Sequence, residues 1–173
     1  MNRSGTKITK YGIEFDSLLE LDLYEEFKNR GVRVERGVPI TVLEGGKIWS
    51  KCYTNDNKAF KMKMENASMK DIKYTPDFVL TISRDAVNLA GEHCYYPDAT
   101  VYVEAKGFAN ETFRYRWKLF KKWVDKNDMG AILFLVKRKH NGRVKPKDNE
   151  ARIKETKEIV DSIINTVKYG KPI

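Results

Sequence analysis

The sequence predicts an α/β domain, with a central mixed β-sheet flanked by helices. The elements inferred along the chain run in the order helix, several strands, helix, strand, helix, which is typical of a sheet covered by helices. The 173 residues suffice for one domain, 1–173, that buries a core without metals or disulfides. The chain is 41% hydrophobic and has no internal repeat or low-complexity tract, as expected of a globular domain.

The first half of the chain is predicted to begin with a helix and continue as short strands. The helix covers 16–30, with Asp16 or Ser17 as its cap and Gly31 where it ends. β character begins at Val32 to Glu35. Further strand candidates are Val38–Leu43, Lys47–Tyr53 and Lys58–Met64, with turn signals at Glu44–Gly46 and Thr54–Asn57.

The second half alternates strands and helices. Two strands are predicted at Lys73–Ile82 and Thr100–Lys106, with the polar segment Ser83–Ala99 as a long connection. A helix at Glu111–Lys126, capped by Asn110, has an apolar face of Phe113, Trp117, Phe120 and Val124. A short apolar strand, Gly130–Val136, precedes a final helix at Asn149–Tyr169 with a stripe of Ile153, Val160, Ile163, Ile164 and Val167.

The charge balance predicts a polyanionic partner. The net charge is +9, the pI is near 9.4, and a third of the residues are charged. A merely soluble protein with a lysine-rich surface is the alternative. The N-terminus has no apolar signal core and no membrane span is expected. Cys52, Cys94, His93 and His140 lack the paired spacing of zinc ligands, so no zinc site is expected. Cys52 and Cys94 could form one disulfide, but two reduced thiols are expected in a cytosolic protein.

Glu104 and Lys106 are the first candidate chemical groups. Alternation along Thr100–Lys106 places both on one face of a strand, opposite Val101 and Val103. A solvated charged face would explain an isolated pair of this kind.

A second strand brings a carboxylate into reach. Asp77 follows Pro76 at the start of an apolar run, although Asp is disfavoured in strands. If the two strands pair antiparallel, Asp77 lies beside Glu104. Asp98 is the competitor, but it lies roughly 20 Å from Glu104 along one extended segment. We therefore expect Asp98 to be a loop residue.

Glu20 is the third candidate carboxylate. On a helical wheel it falls in the middle of the apolar face, near Leu23, Tyr24 and Phe27. An unpaired carboxylate is costly there. Either a neighbouring Arg or Lys satisfies Glu20, or a metal gives it a reason to face inward.

Together these residues resemble the PD-(D/E)XK nuclease superfamily. Ser17 to Glu20, Tyr74 to Phe78 and Val103 to Gly107 are similar to motifs of phage endonucleases, including the junction-resolving endonuclease I type. The likeness covers roughly 15–136. It implies a restriction-endonuclease-like core with an inserted β-hairpin region at 38–72, which the family pattern lacks; the 83–99 connection is also longer than a tight hairpin needs.

The resemblance implies a metal-dependent endonuclease acting on DNA. Asp77, Glu104 and the Ala105 carbonyl would bind Mg²⁺ or Mn²⁺, and Glu20 would complete the site through a second metal or a water. Lys106 would position the attacking water. One or two metals, DNA or RNA, and branched or linear substrates all stay open.

The predicted DNA contacts are basic residues of the second helix and of the segment after the last strand: Arg114, Lys118, Lys121, Lys122, Lys137, Arg138 and Lys139. A four-way junction would favour a homodimer, because two nicks must be related by a two-fold axis. The implied location is the cytoplasm of a bacterial or phage-infected cell. One alternative is a non-catalytic nucleic-acid-binding protein on the same fold. A second, a hydrolase using a His or Cys nucleophile, is disfavoured because the chain has only two histidines and neither lies in a nucleophile motif.

Overall fold

A computed structural model describes residues 7–56, 61–65, 68–87, 93–106, 111–137 and 149–169. The elements in chain order are β1 (Ile8–Lys10), β2 (Ile13–Phe15), α1 (Leu18–Asn29), β3 (Arg33–Arg36), β4 (Ile40–Leu43), β5 (Gly46–Lys47), β6 (Tyr53–Asp56), β7 (Lys61–Met64), β8 (Ser68–Met69), β9 (Ile72–Tyr74), β10 (Phe78–Val87), β11 (His93–Ala105), α2 (Glu111–Asn127), β12 (Ile132–Val136) and α3 (Asn149–Tyr169).

The central sheet has four strands in the order β12-β11-β10-β3. Strand β10 runs antiparallel to both β3 and β11, whereas β11 and β12 are parallel, so the sheet is mixed. The predicted α/β class with a mixed sheet and helices is therefore confirmed. No helix in the described part of the chain is long and apolar enough to cross a membrane.

Two hydrophobic clusters cover opposite faces of this sheet. One joins α1 and α3 to the sheet face that carries Leu80, Val101 and Val103, all fully buried. The other joins α2 to the face that carries Tyr102, with Phe120 fully buried between them. Because side chains alternate along a strand, Glu104 and Lys106 share the α2 face with Tyr102.

Local signals placed the helices well. Ser17 caps α1 by accepting a hydrogen bond from the Glu20 N–H, and Gly31 follows with a φ of +67°, the left-handed conformation that glycine adopts readily. The predicted apolar face of α2 is buried or half-buried, as expected. In α3 one assignment is wrong: Ile153 is 46% exposed, and Thr156, at 3%, lies in the interior instead. The proposed cap Asn110 lies outside the described residues.

The predicted connection at 83–99 is wrong. Strands β10 and β11 continue through most of it and pair as far as Val87 with His93, with a register shift between Ile82 and Arg84. Asp98, expected in a loop, lies in β11 and is exposed. Backbone pairing propagates from the apolar part of the hairpin, so these polar residues form strand without alternating hydrophobicity.

The predicted strand Lys73–Ile82 is two strands. It breaks at residues 75–77, where Pro76 has no N–H to donate to a ladder. Strand β9 pairs with β4, and β10 begins the central sheet. Between β5 and β6 the prediction was shifted: residues 48–52 are not strand, and Thr54 to Asp56, expected as a turn, are strand.

The segment 40–74, which contains most of the predicted insertion, folds back on itself as nested antiparallel pairs. Strand β4 pairs with β9, β5 with β8, and β6 with β7. The Cys52 carbonyl accepts a hydrogen bond from the Glu65 N–H, which extends the pairing of β6 with β7 by one residue. We call this two-stranded ribbon the β-arm. Its base at Tyr74 lies beside the central sheet.

Near the base of the β-arm, the backbone of Gly37 lies tightly against Pro76. A Cβ there would overlap the Pro76 carbonyl oxygen and approach the Pro76 carbonyl carbon and Cγ to 2.8 Å. We expect Gly37→Ala to displace residues 76–77 and to lower the free energy of unfolding by about 1–3 kcal/mol. Urea denaturation measures the loss. Gly46→Ala is the matched control, because nothing lies within 4 Å of its added Cβ; equal stability of the two variants would contradict the prediction.

Candidate active site

Asp77 lies at the start of β10, next to the end of β11. Phe78 pairs with Val103 in the antiparallel ladder, which brings Asp77 alongside Glu104 and Ala105. The Ala105 N–H donates a hydrogen bond to Asp77 Oδ2 over 2.7 Å. Within the described residues, Asp77 Oδ1 accepts no hydrogen bond. The N–H and C=O of one strand residue face the same neighbour, so the Ala105 carbonyl points toward the Asp77 side of β11.

Glu104 is held from two directions. Tyr74 donates its hydroxyl hydrogen to Glu104 Oε2 over 2.7 Å, and Lys106 Nζ lies 3.0 Å from Glu104 Oε1. The Glu104 side chain is only 3% exposed, whereas about a third of the Lys106 side chain reaches solvent. Each carboxylate oxygen keeps a second lone pair for another partner.

Burial and negative charge change the acidity of this site. The pKa of Asp77 is raised to about 7, first by burial and then by the charges of Glu104 and Glu20. The pKa of Tyr74 is also raised, by burial and by the neighbouring Glu104 carboxylate, so its hydroxyl stays protonated and remains a donor. The carboxylates of the site are therefore close together and partly desolvated. A bound cation would stabilise their charged forms.

Glu20 reaches this field from the α1 side of the sheet. It is 3% exposed and accepts hydrogen bonds from the Asp16 N–H and the Ser17 hydroxyl, each over 3.1 Å. Arg36 Nη1 lies 3.4 Å from Glu20 Oε2. Ser17 and Glu20 thus form a capping box, which explains the buried orientation of Glu20 without a metal.

Two residues that contact the acidic groups of the site, Tyr74 and Arg36, were not predicted as site residues from the sequence. Tyr74 is buried against the ring of Phe120, with centroids 4.5 Å apart, and orients Glu104. Arg36 pairs with Glu20, and its guanidinium carbon lies 5.3 Å from the Phe78 ring centroid. The Ser-x-x-Glu spacing at Ser17 was a readable capping signal, but nothing in the sequence pointed to Arg36 as the partner.

A pocket of about 340 Å³ opens over the site. Its lining includes Glu104 and Lys106 together with Thr112 and Arg116 from the first turns of α2. Lys106 Nζ lies 4.8 Å from the Phe113 ring centroid. Within the described ranges, no three His, Cys, Asp or Glu side chains form a ready-made metal-binding group.

A second groove, of about 360 Å³, runs along α2 and shares Phe113 with this pocket. It is lined by four of the predicted DNA contacts: Arg114, Lys118, Lys121 and Lys137. Lys122 is exposed on α2 but does not line the groove. Arg138 and Lys139 lie outside the described residues. The groove and the pocket together form a basic path that leads to Lys106.

Comparison of the chain with protein-family models, with curated proteins and with solved structures found no match.

Proposed function

We propose that this protein is a metal-dependent endonuclease that hydrolyses DNA phosphodiester bonds on a restriction-endonuclease-like core. The observation that carries the proposal is the approach of Asp77 and Glu104, with Lys106, at the adjoining ends of two sheet strands. These groups come from distant parts of the chain. Glu104 and Lys106 line a pocket that shares Phe113 with a basic groove.

The donor set fits a hard divalent cation. Asp77, Glu104 and the Ala105 carbonyl offer only oxygen, and Mg²⁺ takes one or two carboxylates and completes its shell with water and phosphate. Glu20 remains a predicted member of the site; because its carboxylate already accepts three hydrogen bonds, from the Asp16 N–H, the Ser17 hydroxyl and Arg36, it adds negative charge more readily than a ligand atom. Bound Mg²⁺ or Mn²⁺ would polarise the scissile phosphate and stabilise the attacking and leaving oxygens.

The other steps of the proposed reaction would depend on side chains of the protein. Lys106 Nζ, held against Glu104, would donate a hydrogen bond to the attacking water and offset charge at phosphorus. Tyr74 keeps Glu104 turned toward the pocket through its 2.7 Å hydrogen bond. The basic groove would hold the phosphate backbone, so that the scissile bond lies over Lys106.

Incubation of the protein with supercoiled, linear, single-stranded and four-way-junction DNA, in Mg²⁺, Mn²⁺ or EDTA, tests this proposal. We expect cleavage with either metal and none in EDTA or with Glu104→Gln. Cleavage confined to the junction, together with a dimer in solution, would support a resolvase; cleavage of plasmid and junction alike would support a general nuclease.

A second candidate is a nucleic-acid-binding protein without catalysis. It is favoured by the hydrogen bonds that Asp77, Glu104 and Glu20 already accept, and by the absence of a preformed three-acid group in the described residues. Tight DNA binding with no cleavage under any metal condition would establish it in place of the enzyme.

The basic groove yields a separate prediction. We expect Lys118→Ala combined with Lys121→Ala to weaken DNA binding about tenfold at low salt. The slope of log affinity against log salt should fall by about two, because two phosphate contacts are lost. Lys154→Ala combined with Lys157→Ala, exposed on α3, is the matched control. An unchanged salt slope in the groove variant would exclude the groove as the DNA path.

A further inference from the structure

The surface of the β-arm carries large apolar side chains that the fold does not bury. Trp49 is 86% exposed, and Tyr53, Met62 and Met64 are each more than half exposed. Tyr53 pairs with Met64 across the ribbon, and Met62 follows the same alternation. These three therefore lie on one face. Such a face on a globular protein indicates a contact surface.

Lysines accompany these apolar groups. Lys63 pairs with Thr54 on the opposite face, and the Lys47 ammonium lies 4.9 Å from the Trp49 ring centroid. Lysines outnumber acidic residues among the described arm side chains: Lys47, Lys51, Lys63, Lys70 and Lys73 against Glu44, Glu65 and Asp71. Two of the acids are engaged locally, since Glu65 contacts the Thr54 hydroxyl and Asp71 accepts the Gly45 N–H.

The arm also leads into the candidate active site. Its last strand, β9, ends at Tyr74, which donates to Glu104, and Lys73 lines the same pocket. At about 3.3 Å per residue, the ribbon would carry Trp49 roughly 25 Å from Tyr74.

From these observations we infer that the β-arm binds unpaired nucleotides of the DNA substrate, with Trp49 as the ring on which a base stacks. An exposed aromatic ring beside an ammonium group, on a lysine-rich arm, suits a single strand, because stacking accepts any base and the lysines meet the phosphates. Bases inside a duplex are already stacked on each other and offer Trp49 no free face.

A second copy of the chain fits this surface less well. Two chains of net charge +9 repel each other. On α1, Glu25 pairs with Lys10 and Glu26 with Arg30, so these carboxylates are engaged within one chain. The inference rests on the proposed function, and it narrows the substrate to DNA with unpaired bases near the point of cleavage.

The test is binding in EDTA, measured by fluorescence anisotropy on a blunt duplex and on the same duplex with a single-stranded tail. We expect Trp49→Ala to weaken binding of the tailed DNA about tenfold and binding of the blunt duplex less than twofold. Trp49→Phe keeps a stacking ring and should stay within about threefold of the unmodified protein. It should also abolish the additional tryptophan quenching that the tailed DNA causes over the blunt duplex, because Trp117 lines the groove that both DNAs would occupy.

Met129→Ala is the control, since Met129 is 88% exposed but lies after α2, away from the arm. An equal loss on both DNAs, or no loss on the tailed DNA, would overturn the inference. So would a change of oligomeric state in Trp49→Ala without DNA, which would make the arm a protein contact. This assay measures binding and not cleavage, so its outcome is independent of the proposed enzymatic activity. Binding of tailed DNA through Trp49, together with no cleavage in the separate nuclease assay, would overturn the proposed nuclease activity and leave this inference standing.

Discussion

Lys106→Met is expected to slow metal-dependent DNA cleavage by about a hundredfold to a thousandfold while leaving DNA affinity within about threefold. Methionine keeps an unbranched side chain but has no charge and no N–H to orient water. The ammonium it removes lies 3.0 Å from Glu104 Oε1 at the mouth of the pocket. Single-turnover cleavage at saturating protein, in Mg²⁺, separates the chemical step from binding.

The control for Lys106→Met is Lys154→Met, the same change at an exposed position on α3. It should cleave at the unmodified rate. Retention of more than a tenth of the activity by Lys106→Met would remove Lys106 from the catalytic role. Parallel loss of cleavage and affinity would make it a phosphate contact instead.

Asp77→Asn is expected to act in opposite directions on activity and on stability. Asparagine keeps an oxygen that can accept the Ala105 N–H but removes the negative charge beside Glu104. Cleavage should fall at least a hundredfold, because a candidate metal ligand loses its charge. In EDTA at pH 8 the variant should be more stable than the unmodified protein, since repulsion among the carboxylates is reduced.

The direction of this stability change follows from the raised pKa of Asp77. Folding lifts it from 3.8 to about 7, so between these pH values the folded chain holds a proton that the unfolded chain has released. Stability therefore falls as pH rises from about 4 to about 7, and the full penalty remains at pH 8. About three pKa units would correspond to roughly 4 kcal/mol. Solvent screening of the half-buried group reduces this to an expected 1–2 kcal/mol.

Urea denaturation in EDTA at pH 4 and at pH 8 measures the effect. The stability gain of Asp77→Asn should be present at pH 8 and absent at pH 4, where Asp77 is largely protonated in the folded protein. Added Mg²⁺ should stabilise the unmodified protein more than the variant. An Asp77→Asn protein that is less stable at both pH values would show that the carboxylate makes a net favourable contribution to folding without a metal.

Local chemistry in the sequence was sufficient to predict the three helices and the apolar parts of the core strands. The Ser17 cap and Gly31 set the limits of α1, and the 3.6-residue period of Phe113, Trp117 and Phe120 set the inner face of α2. Alternation in β11 placed Glu104 and Lys106 on one side, where they meet in the structure. These signals depend on residues that are close together in the chain, so they are visible in the amino-acid sequence alone.

Pairing over long distances was decided only by the tertiary structure. The extension of β10 and β11 across 83–99 and the nested pairs of the β-arm depend on backbone hydrogen bonds between distant segments, which polar residues form as readily as apolar ones. The partners of the acidic groups are of the same kind. The sequence by itself indicated that Glu20 faces inward and that Glu104 and Lys106 share one face of a strand. Only the folded chain brought Tyr74 to Glu104 and Arg36 to Glu20, because a buried charge is satisfied by whichever donor the fold places beside it.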